Sequence, residues 1–67
     1  MKIIYKKLWV LLAEKEISKV ELRKSLGLAP GTMTKLNQNE EVSMSILMRI
    51  CGRLNCDIGD ICEITQP

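Results

Sequence analysis

The stretch Val20–Leu36, VELRKSLGLAPGTMTKL, constrains this chain more than any other. Its apolar residues fall at Val20, Leu22, Leu26, Leu28, Met33 and Leu36, a helical rather than an alternating spacing. Gly27 interrupts the pattern, and Pro30-Gly31 follows. Just upstream, Ser18 stands three residues before Glu21. That spacing is a capping box: the serine hydroxyl accepts one free helical N–H, and the glutamate reaches back to the serine N–H. A helix is therefore predicted over Lys19–Leu26. Gly27 stops it, because glycine enters the left-handed conformation without a Cβ penalty. Pro30 suits the first turn of the next helix, where its missing N–H costs nothing. That helix is predicted over Pro30–Gln38, with Met33 and Leu36 facing inward.

The flanks extend the helical pattern. Lys6–Glu16 carries Leu8, Leu11 and Leu12 on one face with Trp9 at its edge, and reads as the first helix. Ser43 caps a fourth helix that runs to about Leu54 and buries Leu47, Ile50, Cys51 and Leu54. Asn55 ends it in the left-handed conformation, and Asp57, with Asp60 three residues on, caps a short fifth helix. Ile3–Tyr5 and Glu63–Thr65 lean towards extended structure, paired either within one chain or between two. The predicted core is Leu8, Leu12, Leu22, Leu26, Leu28, Met33, Leu36, Leu47, Ile50, Leu54 and Ile61.

At 67 residues the chain reads as one domain with a marginal core. It has three cysteines, no histidine and no CxxC pair, so neither a disulfide framework nor a zinc site is indicated. Cys51, Cys56 and Cys62 sit among apolar residues and read as small buried thiols, which suits a reducing, cytoplasmic setting. No histidine is present to activate a nucleophile, and Glu40 and Glu41 are adjacent in a polar connection, so no enzyme chemistry is predicted. No apolar run approaches a membrane span. Lys6 and Lys7 interrupt the apolar start, which also argues against a signal peptide. Charge is uneven: residues 1–38 carry eight Lys/Arg against three Glu, a net +5, and the remainder carries −3. A basic half is compatible with a polyanionic partner.

The segment ISKVELRKSLGLAPGTMTKL resembles the helix-turn-helix of the phage Cro and lambda-repressor (XRE) type, matching it at Ser18, Leu22, Gly27, Leu28, Met33 and Leu36. The resemblance continues through NEEVSMSILMRICGRLNCDIGDI and covers about residues 6–62, with the motif itself at about 19–38. It implies an all-α, compact five-helix DNA-binding domain with short terminal strands. Three positions depart from the pattern. Arg23 stands where alanine is usual, Lys19 where glutamine often bridges phosphate and base, and Ala29-Pro30-Gly31 where polar residues are more common.

The resemblance implies that helix three lies in the major groove of double-stranded DNA. Pro30 and Gly31 then allow close approach. Thr34, Lys35 and Gln38 offer contacts to base edges or the backbone. Lys19, Thr32, Asn39 and the amide end of helix four at Ser43 fall near phosphates. A homodimer is expected, since such regulators commonly use two half-sites. Neither cofactor, metal nor small-molecule ligand is expected, and no membrane partner. A competing reading is a protein-interaction or antitoxin-like module on the same fold that does not read DNA with helix three.

Overall fold

The computed structural model describes residues 1–66. Strand β1 (Lys2–Ile4) leads into α1 (Lys6–Glu14), α2 (Lys19–Leu26), α3 (Pro30–Asn37) and α4 (Met44–Leu54). A 3-10 turn (Ile58–Asp60) and strand β2 (Glu63–Thr65) follow. β1 and β2 pair antiparallel within the chain, with Lys2 opposite Thr65, Ile3 opposite Ile64 and Ile4 opposite Glu63. The two ends of the chain are thus tied together, one of the two arrangements the sequence left open.

Among the described residues there are four α-helices rather than the expected five, and the short terminal strands are present as a two-stranded sheet. The expected fifth helix stops after one 3-10 turn. Asp57 and Asp60 do form a capping box there, with the Asp57 N–H bonded to the Asp60 carboxylate at 2.9 Å. But Cys62 already closes the turn, and the chain must enter β2 at Glu63 to reach β1.

All four helices end in a left-handed residue: Glu16 (φ 57°), Gly27 (φ 64°), Asn39 (φ 56°) and Asn55 (φ 53°). At the first three ends, two backbone bonds close the last turn in a Schellman pattern. After α2 they run from Leu28 N–H to the Arg23 carbonyl (3.0 Å) and from Gly27 N–H to the Lys24 carbonyl (3.2 Å). After α1 the Ile17 N–H reaches the Leu12 carbonyl at 2.9 Å, and after α3 the Glu40 N–H reaches the Lys35 carbonyl at 2.8 Å. This shortens two helices relative to expectation. α1 ends at Glu14 because Glu16 turns left-handed, and α3 ends at Asn37 because Asn39 does.

The core is Leu8, Leu12, Leu22, Leu28, Met33, Leu36, Leu47, Ile50, Leu54 and Ile61, together with Tyr5. Tyr5, placed at the strand edge by its sequence, is fully buried. Its hydroxyl donates to the Glu40 carbonyl at 2.8 Å, and its N–H donates to Asn39 Oδ1 at 3.1 Å. Leu26 is only half-buried, because it closes α2 at the rim and the turn carries Leu28 inward in its place. The three cysteines are likewise half-buried against the core rather than enclosed by it, since each lies at the border of α4 or the 3-10 turn with solvent. Among the described residues no helix is long and apolar enough to cross a membrane.

Candidate nucleic-acid interface

α2 and α3 form the helix-turn-helix, and their ends are built differently. Ser18 Oγ accepts from the Glu21 N–H at 3.0 Å, and Glu21 Oε1 accepts from the Ser18 N–H at 3.4 Å. The capping box read from sequence is therefore present at α2. At its other end, the guanidinium of Arg49 in α4 donates to the Leu26 carbonyl. This contact clamps the turn from behind. Nothing in the spacing of Arg49 marks it as a turn-binding residue, since the contact joins positions distant in sequence.

α3 has no such support at its start. Ala29 provides no side-chain cap, and Pro30 takes the first position. Met33 and Leu36 are buried and hold the helix down. On the opposite side Gly31, Thr34, Lys35 and Gln38 are all exposed. They fall at i, i+3, i+4 and i+7, which puts them on one outward stripe. The Thr34 hydroxyl donates to the Pro30 carbonyl at 3.2 Å. Its proton is thereby committed, leaving its oxygen lone pairs as an acceptor and its methyl group as an apolar contact.

The remaining predicted residues divide by what already holds them. Lys19 is not free on the surface. Its Nζ lies 4.1 Å from the centre of the Trp9 ring and donates to Asn37 Oδ1 at 2.8 Å. One ammonium thus joins α1, α2 and the end of α3, while its other N–H groups remain able to donate. Asn39 is similarly committed on its oxygen side, through the Tyr5 N–H, and keeps its amide donors. Ser43 Oγ accepts from the Ile46 N–H at 3.2 Å and so caps α4, leaving its own O–H to donate. Thr32 is half-buried beside Met33, and Pro30 is exposed. Arg23 is half-buried.

Burial pushes the Cys56 thiol up to about 11 and raises Cys51 and Cys62 as well, so thiolate is scarce. Burial also raises the Tyr5 phenol. Among the described residues no three His, Cys, Asp or Glu side chains are grouped to hold a metal ion.

The model of the Cro/C1-type helix-turn-helix DNA-binding domain matches residues 7–67, nearly the whole chain. The chain belongs to the Cro/C1-type helix-turn-helix family. Within the solved structures, this Cro/C1-type chain is similar to that of the transcriptional regulator VanUg, form II. The two are 44% identical with a TM-score of 0.96, over 98% of this chain and 88% of that one. No curated protein matches the sequence. A Cro/C1-type domain accounts for the order of the four helices and for the turn at Gly27.

Proposed function

We propose that this chain regulates transcription by binding duplex DNA with α3 in the major groove, as one half of a pair of copies on two half-sites. The observation that carries this reading is the outward stripe of Gly31, Thr34, Lys35 and Gln38 on the second helix of a Cro/C1-type motif. In that motif the N-terminal part of the second helix meets base edges. The likeness to a transcriptional regulator supports a regulatory role.

Each side chain takes the role its free atoms allow. Lys35 donates to guanine acceptors or a phosphate, and Gln38 offers both a donor and an acceptor at the far end of the helix. Thr34 accepts from an exocyclic amine or touches a thymine methyl. Pro30 and Gly31 carry no reading group and let the backbone come close. Lys19, Thr32, Asn39 and Ser43 surround this stripe with donors for phosphate oxygens. Lys19 does so while pinned to Trp9 and Asn37, so its charge is held in position before DNA arrives.

A second reading, a protein-interaction module that leaves α3 unused on DNA, draws on the sparse start of α3 at Ala29-Pro30-Gly31. Selection of bound sequences from a random duplex pool separates the two. The DNA-reading account expects one enriched site, symmetric about its centre. Recovery of no sequence above the starting pool would favour the interaction module.

A further inference from the structure

Trp9, Lys19 and Asn37 come from three different helices and meet at one ammonium group. The Lys19 Nζ lies 4.1 Å from the centre of the Trp9 ring and 2.8 Å from Asn37 Oδ1. Both partners are uncharged. A ring face and a carboxamide oxygen hold the ammonium in place without neutralising it, whereas a carboxylate would have done both. Lys19 and Asn37 are exposed, while Trp9 is half-buried against the core and gives the ammonium a fixed floor. An oriented, uncompensated cation at the surface is preorganised for an anion.

Asn37 brings further donors to the same place. An ammonium has only hydrogens to give, so the carboxamide must turn its oxygen to Lys19 and keep its NH2 group free. Oxygen and nitrogen belong to one small planar group, so the two N–H donors of Asn37 stay beside the ammonium. A phosphate presents several acceptor oxygens on one phosphorus and takes bonds from both side chains at once. Asn37 is the last residue of α3 and lies beside the outward stripe, on the flank that meets α2. Base edges are met by the N-terminal part of such a helix, which leaves this end to the DNA backbone. We propose that Lys19 and Asn37 clamp one backbone phosphate between α2 and α3, and that Trp9 is the positioning residue that aims the ammonium. This rests on the reading of α3 as the helix that enters the groove, and it adds Asn37 and Trp9 to the residues that hold DNA.

The test is titration of the full chain against the duplex recovered by selection, each phosphate in turn replaced by a neutral methylphosphonate, beside a melting curve for every variant. The parent loses affinity when one particular phosphate of a half-site is neutralised. Lys19→Ala and Asn37→Ala each weaken binding about tenfold, and both lose most of the sensitivity to that same phosphate. Asn37→Ala leaves the salt dependence unchanged, because Asn37 carries no charge. Trp9→Leu keeps the Lys19 charge but frees it, so binding weakens about threefold at an unchanged salt slope, and Trp9→Phe, which restores a ring face, recovers most of the loss. A folded Asn37→Ala that binds as the parent does, or that keeps the parent's full sensitivity at the phosphate lost in Lys19→Ala, overturns the clamp. A folded Trp9→Leu that binds as tightly as the parent overturns the positioning role. A parent that binds no duplex defeats the function proposed above and this inference with it. A parent that binds, fails as Lys35→Glu and is untouched as Asn37→Ala leaves that function standing and removes the clamp alone.

Discussion

The two helices of the motif have equal lengths, eight residues each, and opposite construction. α2 is closed at both ends: Ser18 and Glu21 seal its start, and Gly27, with Arg49 of α4, seals its finish. α3 begins at an uncapped Ala29-Pro30-Gly31, and its outward stripe has no packing role. Lys19 and Asn37 bridge the pair through a 2.8 Å hydrogen bond. The difference separates two tasks. α2 is committed to the fold, so changes to it are read mainly in stability. α3 is anchored on one side by Met33 and Leu36 and left open on the other, so changes to its outer stripe are read mainly in binding.

That division can be broken at four positions. Leu22→Ala, in the buried face of α2, removes a fully enclosed side chain and costs about 2–5 kcal/mol, enough to unfold much of so small a protein. Thermal or urea denaturation followed by circular dichroism measures it. Ser18→Ala deletes the cap alone and costs about 1 kcal/mol in the same assay, with DNA affinity of the folded fraction unchanged. Lys19→Ala tests the bridge between the two tasks. It loses the ring contact, about 0.5–1 kcal/mol of stability, and it flattens the dependence of binding on log salt by about one unit. Gly31→Ala has the opposite sign in stability. A Cβ there meets nothing within 4 Å, so the helix gains about 0.5–1 kcal/mol from propensity. If Gly31 approaches the DNA backbone, the same variant binds duplex more weakly. Gly52→Ala in α4, where a Cβ is equally unobstructed, is the control that gains stability without losing affinity.

What the sequence disclosed follows the range of the interactions involved. Ser18, Glu21, Gly27, Pro30, Ser43 and Asn55 act within a few residues of themselves, and each is found where its local chemistry puts it. Ten of the core residues were legible from helical spacing, which local periodicity encodes. Tyr5 was not, because its burial depends on Asn39 and Glu40, 34 and 35 positions away. The Lys19–Trp9–Asn37 junction and the Arg49 clamp are long-range for the same reason. Glu16 ends α1 in a conformation that its side chain does not favour, so nothing local announced the stop. At the candidate interface, the pattern alone indicated which residues line α3. It did not reveal that Lys19, Thr34, Asn39 and Ser43 each already hold one internal bond, which sets the atoms they have left to offer.

The central claim is that the outer stripe of α3 reads DNA, and Lys35 tests it most directly. Its side chain is exposed and lies opposite Met33 and Leu36, so its charge can be reversed without disturbing the core. Titration of the parent and of Lys35→Glu against the selected duplex, at several salt concentrations and beside a melting curve for each, gives the answer. The account predicts that Lys35→Glu melts at nearly the parent temperature and shows no measurable binding at any salt concentration where the parent binds. A folded Lys35→Glu that binds the duplex as tightly as the parent would contradict it and remove α3 from the reading of DNA.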